Sequence, residues 1–322
     1  MPNSSQSFAA TPEPHQFDVR LDANTFSKAT QRNSDPSVPP VPLFPPDSPG
    51  PSVSTPTSPK PSARGQQQLT DIPKYSINSL NGKIRGEALV FIMENFKKSD
   101  KRHGATEDRK KLDTVFKNLH LNPRVYRDFK REDVIQKLDW FFHEQRVKDC
   151  RILFVCFSSH GEYGTITCSD DLQLDLEHDL YERFSNTNLA MKCPSLINVP
   201  KIFIIQGCRG EKYDEGVAMD GPNSEKYEPS YSDFFILYSC PPNYLSLREP
   251  RKGSWLIIAF EEQMQSYAQC DEWKDICTRI ANHVGEMEGS LAGFDGYPGF
   301  PVVKQSLELI IRGPHKKLFF KR

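Results

Sequence analysis

The stretch Ile202-Phe203-Ile204-Ile205-Gln206-Gly207-Cys208-Arg209-Gly210 decides the fold. Four consecutive apolar residues, three of them β-branched, predict a strand buried on both faces of a parallel sheet. The strand stops at a cysteine that follows a glycine. Open α/β sheets carry their chemistry at the carboxyl ends of strands. A cysteine there, with a small neighbour that lets a substrate backbone approach, is a candidate nucleophile. Ile152-Leu153-Phe154-Val155-Cys156-Phe157-Ser158-Ser159-His160-Gly161 has the same form and ends in His-Gly. If the two strands are parallel neighbours, His160 and Cys208 arrive at one sheet edge, a base beside a nucleophile.

Working outward, Glu87–Met93 reads as a first strand and 105–120 as a helix, with Leu112, Val115, Phe116 and Leu119 on one face. Val125–Phe129 is predicted as a strand. Arg131–Val147 is predicted as one helix, its apolar stripe (Val134, Ile135, Leu138, Phe141, Phe142) serving as core packing. A short helix is expected around 175–185. After Cys208 the polar, Gly- and Pro-containing residues 211–232 read as an exposed linker. A strand over Asp233–Ser239, helices over 256–268 and 272–286, and a last strand over Leu307–Ile311 follow. The alternation predicts an α/β fold: a mostly parallel six-stranded sheet with helices on both faces.

Residues 1–73 read as a disordered leader. Eleven prolines fall between Pro36 and Pro61, interleaved with Ser, Thr and Asp. Such a segment cannot bury enough apolar area to offset its ordering entropy. Pro39-Pro40-Val41-Pro42 and Pro45-Pro46 favour polyproline II, a form that SH3- or WW-like partners read. The Lys- and Arg-rich end, Lys316–Arg322, is expected to be a frayed, solvated tail.

The formal net charge is −1 over 322 residues, so nothing pulls the chain toward nucleic acid or membrane. No apolar run approaches the roughly 18 residues of a membrane span. The first residues lack the basic and apolar regions of a signal peptide, and position 2 is not the glycine needed for myristoylation. Cysteines stand at 150, 156, 168, 193, 208, 240, 270 and 277, with no C-x-x-C pair. Zinc-ribbon and thioredoxin readings are therefore unsupported, and no metal or other cofactor is expected. A reducing cytoplasm suits these thiols, most of them packing residues, Cys270 and Cys277 included. His103, His120, His143, His178 and His283 show no ligand spacing.

Gln206-Gly207-Cys208-Arg209-Gly210 resembles the active-site pentapeptide of the caspases, and Ser159-His160-Gly161-Glu162 resembles their histidine motif. In that family the histidine lies about 50 residues before the cysteine; here the separation is 208 − 160 = 48. Either residue alone at a strand end would more often be structural; the pair at this spacing reverses that weighting. Gly207 stands where the family usually has alanine, and should give the nucleophile loop more freedom at some cost in rate. The resemblance covers roughly 75–320, with Asp233-Phe234 and Gly253-Ser254-Trp255 falling where the family has similar residues.

The resemblance implies a thiolate from Cys208, general acid–base work by His160, and an oxyanion hole from the backbone N–H groups of Gly161 and Cys208. It implies that a backbone carbonyl, by position that of Asp100, steadies His160. The family cleaves after aspartate, using two arginines and a glutamine; the matching residues are Arg102, Gln206 and Arg248. Forked, permanently charged arginines are what a buried carboxylate requires. Leu245 and Leu247 flank Ser246 where relatives often carry aromatics, so the neighbouring pockets should be aliphatic. The resemblance further implies a precursor with a leader (1–73), a large subunit (74–220) and a small subunit (221–322), cut in the linker. Asp220, followed by Gly221, is the favoured site; Asp47 and Asp71 are secondary sites in the leader. The active form would be a homodimer of large–small heterodimers, with protein substrates bearing aspartate, an activating caspase upstream, inhibitor proteins, and a role in apoptosis or related signalling. The rival is a catalytically weak caspase-like regulator that dimerises with an active relative. A non-catalytic doubly wound binding protein would give no reason for the paired motifs.

Overall fold

Long apolar runs that cannot leave either face to water must lie inside a sheet covered on both sides, and the computed structural model has this form. It describes residues 20–21, 71–78, 84–121, 123–210, 232–289, 303–313 and 315–321. In chain order the elements are β1 (Arg20–Leu21), β2 (Gly86–Ile92), α1 (Ala105–Asn118), β3 (Arg124–Arg127), α2 (Arg131–Phe141), β4 (Ile152–Ser158), β5 (Gly161–Glu162), β6 (Thr165–Thr167), β7 (Gln173–Asp175) and α3 (Asn186–Lys192). Then come β8 (Lys201–Gln206), β9 (Phe234–Tyr238), β10 (Leu247–Glu249), β11 (Gly253–Ser254), α4 (Trp255–Tyr267), α5 (Trp273–Glu286) and β12 (Glu308–Arg312).

The main sheet has six strands in the order β12-β9-β8-β4-β2-β3. Only β12 runs antiparallel to its neighbour. Side chains alternate between faces along each strand. Ala88, Val90, Phe154, Cys156, Ile202, Ile204, Phe235 and Leu237 join a core with residues of α1, α4 and α5. Leu89, Phe91, Leu153, Val155, Phe157, Phe203, Ile205 and Ile236 join the other core with α2 and Leu180, Phe184 and Leu189. Every residue of β4, β8 and β9 is buried. The described residues contain no helix long and apolar enough to cross a membrane.

The structure corrects three expectations. The helix predicted through Val147 ends at Phe141, and Gln145–Asp149 forms a separate 3₁₀ turn. The short helix expected near 175–185 is present as a π-helical segment over Leu176–Leu180 continued by a 3₁₀ segment over Tyr181–Phe184. The basic end is not frayed: Leu318 and Phe320 are fully buried, and the Trp273 N–H donates to the Leu318 carbonyl at 2.8 Å. Alternation sends those two side chains inward and leaves Phe319 between them half-buried, with Lys321 exposed. Lastly, the leader is not structureless throughout, because β1 pairs with β10. Cys270 is exposed and sits between α4 and α5; the other seven cysteines are buried. The linker residues 211–231, with Asp220, lie outside the described residues, as do Asp47 and the proline-rich leader.

Candidate active site

Strand register carries His160 and Cys208 to the same edge of the sheet. β4 and β8 are parallel, with Leu153 opposite Lys201 and Ser158 opposite Gln206. That is an offset of 201 − 153 = 48, the same separation that divides His160 from Cys208. Each residue stands two positions past the end of its strand, at the same level of the sheet edge. Gly161 lies against the nucleophile loop: a side chain added there would come 2.9 Å from the Cys208 carbonyl oxygen.

His160 is 2% exposed. Its Nε2 lies 3.0 Å from the Asp100 carbonyl oxygen. A carbonyl can only accept, so the neutral ring carries its proton on Nε2 and presents Nδ1 as the base. Burial lowers its pKa to about 4; the Asp100 carbonyl opposes that shift and the charge of Arg102 reinforces it. Phe96 packs on the ring, with centroids 4.8 Å apart.

Cys208 is 1% exposed. Its Sγ accepts from the Ser246 N–H at 3.2 Å and faces the Ser246 carbonyl at 3.8 Å. Burial pushes the thiol well up; the Ser246 contact and the Arg102 charge pull it back only in part. The pair therefore rests as neutral thiol and neutral imidazole. Gly207 is less free than its residue type implies. Its N–H donates to Ser239 Oγ at 3.2 Å and its carbonyl accepts from the same hydroxyl at 2.9 Å. A Cβ at this position would come 3.0 Å from Ile166 Cδ1 and 3.1 Å from the Ser159 carbonyl, so the missing methyl serves close packing.

Arg102, Gln206, Ser246 and Arg248 are all buried. Gln206 Nε2 donates to Ser246 Oγ at 2.6 Å. Arg102 Nη2 donates to Asp108 Oδ2 at 3.2 Å and to Ser254 Oγ at 2.8 Å. Burial lowers the Arg102 pKa, and Asp108 opposes the shift. Asp108, fully buried at the start of α1, also accepts from Ser158 Oγ (2.7 Å) and from the Ser254 N–H and Oγ (both 2.7 Å). Gly253 makes this possible: its φ is +102°, and a Cβ there would lie 2.6 Å from Asp108 Oδ1. Leu245 and Leu247 flank Ser246, and both are buried in the core shared with α4 and α5.

Two residues escaped the sequence reading. Asp108 looks like an ordinary first-turn acid, favoured there by the helix dipole. Gln305 is 1% exposed; its Oε1 accepts from the Leu247 N–H at 2.6 Å and its Nε2 donates to the Ser239 carbonyl at 2.8 Å. It clamps β10 to the end of β9. Nothing local in the sequence signals either residue. Among the described residues no cluster of His, Cys, Asp and Glu is placed to hold a metal ion.

A buried cysteine and histidine set level at the carboxyl edge of a doubly covered parallel sheet define a cysteine-hydrolase class of site. Comparison with known proteins gives the particular family. Residues 85–308 match the family model "Caspase domain", and the chain belongs to the caspase family, a family of cysteine peptidases. It is 31% identical to caspase-6 of Gallus gallus over 266 residues, covering 72% of this chain and 83% of that one. It is 34% identical to caspase drICE of Drosophila melanogaster over 189 residues, 56% of this chain and 54% of that one. Among solved structures it resembles caspase-1 of Spodoptera frugiperda, with a TM-score of 0.67 at 25% identity, covering 78% and 94% of the two chains.

Proposed function

We propose that this chain is a cysteine endopeptidase that cuts after aspartate and is made as a precursor. The observation that carries the reading is the shared register: one 48-residue offset sets His160 and Cys208 level, beside buried Arg102, Gln206 and Arg248. Nδ1 of His160 takes the thiol proton as the Cys208 sulfur adds to the carbonyl carbon after aspartate. The backbone N–H groups of Gly161 and Cys208 receive the oxyanion. The peptide C–N bond breaks, His160 protonates the leaving amine, and water hydrolyses the thioester. Arg102, held in orientation by Asp108, meets the substrate carboxylate together with Gln206 and Arg248.

The neutral, nearly inaccessible thiol supports the precursor reading: the site rests in a latent state. Cleavage after Asp220 would separate a large subunit (74–220) from a small one (221–322). β12, the edge strand of the main sheet, supports assembly into a dimer of cut chains. A cytoplasmic place and a role in apoptosis or a related proteolytic signal accompany this reading. The test is turnover of fluorogenic tetrapeptides ending in Asp, Glu, Asn or Ala, for the full chain and its Cys208→Ala variant. Turnover confined to Asp and absent from the variant is expected. No turnover, even after the linker is cut experimentally at 220, would sink the protease in favour of a regulator that pairs with an active relative.

A further inference from the structure

The loop between β2 and α1 carries three groups of the site. Its Asp100 carbonyl meets His160 Nε2 at 3.0 Å, Phe96 packs on the same ring, and Arg102 lies two residues beyond Asp100. Residues 93–104 form neither helix nor strand, so the loop is held from outside. Its anchor is Asp171, in the turn between β6 and β7. Asp171 Oδ2 accepts from the Lys98 N–H at 2.8 Å and Oδ1 from the Ser99 N–H at 3.0 Å. The Ser99 hydroxyl donates to the same Oδ1. Asp171 has φ +65°, a backbone state that Asp and Asn adopt more readily than most residues. Burial raises its pKa, but the bonds from Ser99 and Lys98 and the Lys98 charge outweigh that and hold the carboxyl ionised, below its ordinary range.

Ser99 stands in Lys97-Lys98-Ser99-Asp100-Lys101. Lys97, Lys98, Asp100 and Lys101 are exposed and Ser99 is half-buried. Lysines thus occupy the two positions before the hydroxyl and the second after it. Charge patterns of this kind are what kinases use to choose substrates.

We propose that Ser99 is a phosphorylation site for a kinase selecting basic sequences, and that its phosphate disables the site; the second half rests on the protease reading above. The Ser99 oxygen attacks the γ-phosphorus of ATP. An O–P bond forms, the bond from that phosphorus to the β-bridging oxygen breaks, ADP leaves, and the hydroxyl proton passes to the kinase's base. A group of about −1.5 to −2 charge then faces ionised Asp171 where a donor stood. Lys98 is drawn from Asp171 to the phosphate. The loop leaves its anchor, the Asp100 carbonyl leaves Nε2, and the His160 tautomer is no longer fixed.

The test incubates the full chain with ATP and a panel of serine kinases that prefer basic residues, locating phosphate by fragment mass. Phosphate at Ser99, lost in Ser99→Ala, is expected; a chain left unmodified at 99 overturns the site. Phosphoserine installed at 99 during synthesis gives a homogeneous product. Amide hydrogen exchange at Lys98 and Ser99 should then quicken about tenfold, and kcat/KM for a fluorogenic Asp peptide should fall about thirtyfold. Asp171→Asn keeps an acceptor oxygen and a tolerated backbone but removes the charge, so there the phosphate should cost less than about threefold. Equal inhibition in both backgrounds overturns repulsion by Asp171, and unchanged turnover overturns the switch. Faster exchange with no turnover in any form, the unphosphorylated one included, removes the protease reading and leaves the release of the loop standing.

Discussion

His160 binds its proton at about 4 in the folded chain, against an ordinary 6.5. Between those values the unfolded state holds more protons than the folded one. Stability contributed by the neutral ring is therefore full above about pH 6.5 and is lost as pH falls through 4, by up to about 1.4 kcal/mol per pH unit. Urea titrations across this range should show a steeper acid loss for the wild type than for His160→Gln; equal slopes would mean the ring is not held neutral. Asp108 is the second residue that matters beyond its appearance. Asp108→Ala leaves the Arg102 guanidinium buried without its carboxylate and should cost about 3–5 kcal/mol. Asp108→Asn keeps the shape; if Asp108 orients Arg102, this variant should raise KM for Asp peptides far more than it lowers kcat. An equal fall in kcat would place Asp108 in the chemistry instead.

Among the elements, the buried strands were the most legible. β4, β8 and β9 are short apolar runs bounded by turn residues, and no other arrangement hides both faces. The site inherited that clarity, because His160 and Cys208 are carried at strand ends. Arg102, Gln206 and Arg248 were assigned only by resemblance, since a lone arginine in the sequence says nothing of burial. Asp108 stayed hidden because its partner Ser254 lies 146 residues away. The terminal segment was misread for a different reason. Lys316-Lys317-Leu318-Phe319-Phe320-Lys321 is dominated by charge, yet Phe320 packs on Trp273 at 5.8 Å and on Phe154 at 6.1 Å. Phe320→Ala should lower unfolding free energy by about 3–5 kcal/mol in denaturant titration. A loss under 1 kcal/mol would restore the frayed tail.

At the scale of the whole molecule, β12 ends the main sheet with five half-buried residues and one strand edge beyond β9. A lysine on such an edge opposes strand addition. Ile310→Lys should shift sedimentation of the cut enzyme from dimer toward monomer, with its Tm changed by only a few degrees; a wild type that is itself monomeric would end the dimer proposal. The sheet also spans the linker. β8 and β9 are adjacent parallel strands, and Asp233, just past residues 211–231, takes the Lys201 N–H at 2.9 Å and the Tyr75 hydroxyl at 2.6 Å. A cut in the linker therefore leaves two chains interleaved in one sheet. A copy cut as proposed would have folded as one chain and would persist as two. Once unfolded, its halves must find each other by diffusion, so a cut copy is renewed by fresh synthesis more readily than by repair.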